Sequence, residues 1–207
     1  MPYTHEQQTS LLERINSPRY LYPEFRALIM DLVRAIDQQR MPFFTYETYR
    51  TPQRQKKLIS LGFSKLKNSY SSPHVHGLAV DFLIPEQYIT TDNKYELVDS
   101  LVGGVNAGSE VGYGPLMYNI GVNVIGTSTT KARTIIENEQ ILNWWKALGT
   151  LIERQFPDLV WGGNKDRGPG QHIGSDPCHV EFRNARKLMK QKSAIDILKE
   201  TGAPGLL

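Results

Sequence analysis

An aspartate stands in the middle of a short apolar run, Ala79-Val80-Asp81-Phe82-Leu83-Ile84, and this placement constrains the chain more than any other feature. A run of this kind reads as a strand. A lone ionised carboxylate inside it is costly to bury unless a cation neutralises it. Seven residues earlier, in Ser72-Pro73-His74-Val75-His76-Gly77-Leu78, stands His74. A second segment, Asp176-Pro177-Cys178-His179-Val180-Glu181, puts His179 three residues after an acid and on entry to another strand-like stretch. Two histidines and one carboxylate are enough for a catalytic zinc with one coordination position left for water. The pattern points to a metallohydrolase.

The rest of the chain is ordinary enough to carry such a site. Its 207 residues fit one domain with a real core, and 40% hydrophobic and 22% charged residues are usual for a soluble globular protein. Cys178 is the one cysteine, so an internal disulfide is excluded. The first residues, Met1-Pro2-Tyr3-Thr4-His5-Glu6-Gln7-Gln8, lack the layout of a secretory signal, and no apolar run reaches bilayer length. The expectation is a product made in the cytoplasm, without stable membrane insertion and monomeric. The net charge is +3. Arg183, Arg186, Lys187, Lys190 and Lys192 cluster near the C-terminus, a pattern that suits an anionic polymer such as cell wall but is read first as a solvated helix face; no nucleic-acid motif accompanies them, so no nucleic-acid partner is expected.

Periodicity predicts an α+β domain, with helices packed against one small antiparallel sheet. Pro23 to Gln39 reads as an amphipathic helix carrying Phe25, Leu28, Ile29, Leu32, Val33 and Ile36. Phe43 to Tyr49 is strand-like. Thr51-Pro52 looks like an N-cap followed by proline at the first helical position, opening a helix to about Leu61. Glu137 to Phe156 is the clearest helix, Val160 to Gly163 a short strand, His179 to Phe182 the last strand, and Asn184 to Glu200 one basic helix. Between them lies a long insertion, residues 86–136, whose stretch 103–130 is rich in glycine, asparagine, serine and threonine and reads as a long loop of the length usually found in functional or mobile segments.

Alternate residues of a strand share a face. His179 and Glu181 therefore point one way, and Cys178, Val180 and Phe182 the other. Two neighbouring strands can present Asp81 and His179 to a common point, with His74 arriving from the preceding loop over a close turn at Gly77. His76 is the main rival to His74, since the two share a face. His172, in a glycine-rich loop, is a weaker rival to His179. Cys178 is a possible ligand, but its side of the strand argues for packing.

The chain resembles the zinc peptidases that cut peptidoglycan stem peptides, related to D-alanyl-D-alanine carboxypeptidases, and among them the phage L-alanyl-D-glutamate endopeptidases. The resemblance rests on four motifs in order: Tyr49-Arg50-Thr51-Pro52-Gln53-Arg54-Gln55, Ser72 through Asp81, Trp161-Gly162-Gly163, and Asp176 through Glu181. It covers residues 24–183 apart from the insertion. Two departures stand out: Val180 where that group has Phe, and a proline moved to Pro177 with Cys178 between it and the histidine.

The resemblance implies that His74, Asp81 and His179 hold zinc, that Asp176 is the catalytic acid/base, and that Arg50 holds the substrate carbonyl. Glu181 competes for the acid/base role from the same face as His179; otherwise it orients a ligand histidine from behind, with Ser72 and His76 also in supporting positions. The function implied is an endolysin that cleaves the L-Ala–D-Glu bond of the stem peptide, reaching the wall through a membrane pore. A D-Ala-D-Ala carboxypeptidase or dipeptidase, and a zinc-stabilised wall-binding module without hydrolysis, are the alternatives.

Overall fold

The computed structural model describes residues 14–60, 64, 66–84, 139–164 and 176–202, with the side chains of 139–142 left aside. The 86–136 insertion and His172 lie outside the described residues.

Helix α1, Pro23–Gln38, starts with proline at its first position and an acid, Glu24, in its first turn. Its apolar stripe, Phe25, Ile29, Leu32 and Ile36, is buried. Strand β1, Phe44–Glu47, is followed by α2, Pro52–Ser60. Thr51 caps α2 as expected: its Oγ1 accepts the Arg54 N–H at 3.1 Å. Strand β2, Ala79–Leu83, contains Asp81. Helix α3, Glu139–Gln155, ends just before Phe156-Pro157, where proline forbids continuation. Strands β3, Leu159–Trp161, and β4, His179–Phe182, complete a four-stranded sheet of order β1-β2-β4-β3. Every neighbouring pair is antiparallel. The α+β architecture follows directly: helices cover a small antiparallel sheet.

The sheet has one apolar face and one face that carries the chemistry. Val80 and Phe82 of β2, and Val180 and Phe182 of β4, pack into a single buried cluster with the α1 stripe and with Trp145, Leu148 and Ile152 of α3. The ring of Phe25 sits 5.9 Å from that of Phe182, and Phe43 lies 4.7 Å from Trp145, within the range of favourable aromatic pairs. Period two then puts Asp81, His179 and Glu181 on the opposite face.

One expectation needs correcting. The basic C-terminal segment is two helices rather than one, α4 (Ala185–Gln191) and α5 (Ala194–Glu200). Lys192 is extended, and Ser193 starts a new helix through a capping box with Asp196, whose N–H reaches Ser193 Oγ at 3.2 Å. The described residues 14–23 belong to the same packed body, with Tyr20, Leu21 and Tyr22 buried. Ile15 bridges to Tyr49, and the Thr48 N–H donates to the Ile15 carbonyl at 2.9 Å, so β1 ends where this earlier segment takes over its hydrogen bonds. Among the described residues, no helix is long and apolar enough to cross a membrane.

Candidate metal centre

Three side chains converge on the polar face of the sheet. Asp81 and His179 are direct partners across the β2–β4 ladder, and His179 Nδ1 lies 3.3 Å from Asp81 Oδ1. His74 Nε2 lies 3.2 Å from Asp81 Oδ1 and 3.2 Å from His179 Nδ1. The donor atoms thus form a nearly equilateral triangle, and these residues form a group that could hold a metal ion.

His74 comes to the triangle on a 3₁₀ turn, Pro73–His76, closed by Gly77 in the left-handed conformation with φ 63°. The His74 carbonyl accepts the N–H groups of Arg50 and Gly77, each at 3.2 Å, which ties the turn to the chain after β1. A Cβ on Gly77 would lie 2.3 Å from the Tyr20 carbonyl oxygen. Glycine is therefore required both for its backbone angle and for the space it leaves.

This turn also separates the two rival histidines. With about three residues per turn, i and i+2 do not share a face as they would in a strand. His76 instead points back, its Nδ1 3.1 Å from the Ser72 carbonyl. Burial lowers the pKa of His76 against the pull of that carbonyl, so the ring is neutral and donates from Nδ1. Ser72 and His76 shape the turn, and it is His74 that joins Asp81 and His179 in the group that could hold a metal ion.

His179 is held from behind by Glu181, whose Oε2 lies 3.2 Å from His179 Nε2. A carboxylate only accepts, so Nε2 carries a proton, and loss of the Nδ1 proton would turn that nitrogen's lone pair toward the triangle. Burial opposes a charge on His179, but hydrogen bonds to Asp81 and Glu181 and the charge of Asp176 raise its pKa to about 10. Without metal, the ring is an imidazolium donating on both sides. For Asp81, burial also opposes charge, yet His74, His179 and Arg50 hold its carboxyl well below the usual carboxylate range. Burial dominates for His74 and lowers its pKa. Its Nδ1 is buried with no hydrogen-bond partner among the described residues.

The donor set fits a divalent cation on chemical grounds. Two rings can direct at most two protons into the triangle, and Asp81 Oδ1 attracts both. The His74–His179 edge, at 3.2 Å, is then left with no good hydrogen bond. A cation inside the triangle accepts a lone pair from all three atoms at once.

Asp176 sits one tight turn away. Its carbonyl accepts the His179 N–H at 3.2 Å, with Pro177 at the position of the turn that favours a fixed φ. Trp161 Nε1 donates to the Pro177 carbonyl at 2.7 Å. The glycines around Trp161 are packing requirements: a Cβ on Gly163 would come within 2.1 Å of the indole, and one on Gly162 within 2.3 Å of the Asp176 carbonyl. Cys178 packs against the core, as its strand side implies. Burial and the Asp176 charge push its thiol well up, so it stays protonated and donates to Asp176 Oδ1 at 3.3 Å.

Arg50 reaches the polar face of the sheet from the segment after β1. Its guanidinium is mostly buried and spans three partners: Nε to Glu47 Oε2 at 2.8 Å, Nη1 to Gln55 Oε1 at 2.9 Å, and Nη2 to both Glu47 and Asp81 Oδ2, the latter at 3.2 Å. It grips the second oxygen of the candidate ligand Asp81. Glu47, fully buried, was missed by the sequence reading. Its one visible signal is the placement of Arg50 and Arg54 three and seven residues after it.

No protein-family model, curated protein or solved structure matches the chain.

Proposed function

We propose that the chain is a zinc-dependent peptidoglycan hydrolase of the endolysin type, cutting the L-Ala–D-Glu bond of the stem peptide. The observation that carries this reading is the triangle of His74 Nε2, Asp81 Oδ1 and His179 Nδ1, with edges of 3.2 to 3.3 Å. Ligands about 2.0–2.1 Å from a tetrahedral zinc stand about 3.3 Å apart. Three protein ligands of this type leave the fourth position for chemistry, and the four ordered sequence motifs supply the substrate class.

Zinc bound there would acidify a water and polarise the scissile carbonyl. The chain's own residues do the rest. Asp176 takes the proton of the attacking water and returns it to the leaving amine, a role worth about 10²–10⁴-fold. Glu181 keeps the Nδ1 lone pair of His179 directed inward. Arg50 fixes Asp81 and places a positive charge beside the region where an oxyanion develops.

The test is mass spectrometry of purified peptidoglycan digested with and without a zinc chelator. Chelator-sensitive fragments beginning at D-Glu are expected. Release of D-Ala alone would move the chain to the carboxypeptidases, and no cleavage by fully metallated protein would leave a wall-binding module.

A further inference from the structure

We propose that Glu47 is a positioning residue for the metal centre, acting on Asp81 through Arg50; the inference rests on the metal reading above. The sheet itself is built to put Glu47 there. Along β1, Phe44 pairs with Leu83 and Thr45 with Phe82, but Glu47, not Tyr46, is the partner of Asp81. Tyr46 is the extra residue of a β-bulge. A regular ladder would set Tyr46 opposite Asp81 and turn Glu47 one register further along; bulges re-aim side chains in this way beside functional sites.

Once re-aimed, Glu47 becomes the hub of a buried charge relay. Its Oε2 takes Arg50 Nε at 2.8 Å as well as Arg50 Nη2, and its Oε1 takes Arg54 Nε at 2.6 Å. Arg54 is itself only 3% exposed. Burial opposes the Glu47 charge, while the two guanidiniums hold its carboxyl below the ordinary value. Gln55 completes the clamp on Arg50 and passes it on to Ser64 Oγ at 2.9 Å.

The physical consequence is a division of Arg50 between two acids. Held by two hydrogen bonds to Glu47, Arg50 meets Asp81 at Oδ2, while Oδ1 faces the two histidines. Two carboxylates and two guanidiniums also balance in charge. Without the Glu47 carboxylate, Arg50 loses the two hydrogen bonds that hold it to Glu47 and shifts toward Asp81, where it competes for the ligand oxygen.

The test measures zinc affinity, by competition with a chromophoric chelator, on full-length wild type and Glu47→Gln. The melting temperature and far-ultraviolet circular dichroism of each metal-free protein report folding. Glu47→Gln is expected to weaken zinc binding by about 10–100-fold, the usual effect of losing a group that orients a ligand. In an Arg50→Gln background the same change should matter by no more than about twofold, because the path is already cut. If Glu47→Gln does not fold, Glu47→Asp keeps the charge but cannot hold both arginines, and it should lose affinity in the same direction. Wild-type affinity in a folded Glu47 variant, or penalties that simply multiply in the double variant, would overturn the proposal. Tight zinc binding without peptide cleavage would sink the hydrolase reading and leave this one standing; a wild-type chain that binds no zinc would sink both.

Discussion

Asp81 and His179 face each other as ladder partners on adjacent antiparallel strands, with Oδ1 and Nδ1 3.3 Å apart. Two rigid backbones therefore set the separation of two of the three candidate ligands, and only His74 depends on a turn. Ligands carried on paired strands are placed more precisely than ligands carried on loops. Several measurable consequences come from that arrangement.

The first concerns protons. In the metal-free protein the pKa of His179 is about 10, so its Nδ1 carries a proton at pH 7 that a metal must displace. Zinc titrations by calorimetry, repeated in buffers of different ionisation enthalpy, should show about one proton released per ion at pH 7. Because the folded pKa lies above the unfolded value, the stability His179 lends the metal-free fold is full below about pH 6.5 and fades as pH rises through about 10. His74 and Asp81, both shifted down, act in the opposite sense and cost stability as pH falls. Proton-neutral zinc uptake at pH 7 would refute the imidazolium.

Glu181 should matter to the metal rather than to the fold. Glu181→Ala removes the acceptor of His179 Nε2–H and frees the ring to change tautomer, which should weaken zinc binding by about 10–100-fold. Glu181→Gln, whose amide oxygen still accepts, should lose less. Equal affinity for all three proteins in a chelator competition would rule out the orienting role.

Asp176→Asn separates chemistry from binding. The turn is held by the Asp176 backbone carbonyl and by Trp161 on the Pro177 carbonyl, neither of which the substitution touches. Zinc content should stay stoichiometric while peptidoglycan turnover falls by about 10²–10⁴-fold. Loss of the metal would make Asp176 a ligand instead of the base.

Gly77→Ala probes the turn that delivers His74. The left-handed backbone alone costs an L-residue about 1–2 kcal/mol, and the new methyl would press on the Tyr20 carbonyl at 2.3 Å. Denaturant titration should show a loss of at least about 2 kcal/mol, with weaker zinc binding in whatever remains folded. Wild-type stability would mean that the turn adopts another path.

Much of the fold was legible along the chain. The 3.6-residue stripe of Phe25, Ile29, Leu32 and Ile36 marks α1, Thr51-Pro52 announces the start of α2, and the alternation in His179-Val180-Glu181-Phe182 assigns each side chain to its face. The donor types at His74, Asp81 and His179 were equally visible, because a carboxylate amid apolar neighbours asks for a cation. Local signals failed where two readings of the same residues were nearly equal. The basic segment after Asn184 has the composition of a single helix, and the break at Lys192 comes from the better hydrogen bonds of the Ser193–Asp196 capping box.

By itself, then, the sequence determined the periodic elements, the apolar face of the sheet and the set of side chains able to bind a cation, because each depends on neighbours a few residues away. Only the tertiary structure decided between His74 and His76, since that choice turns on whether the segment is a strand or a 3₁₀ turn. It alone joined Glu47 and Arg50 to Asp81, because that contact needs a one-residue bulge between Thr45 and Glu47. The register of a strand is set by its partner, and a partner more than thirty residues away leaves no mark in the local pattern.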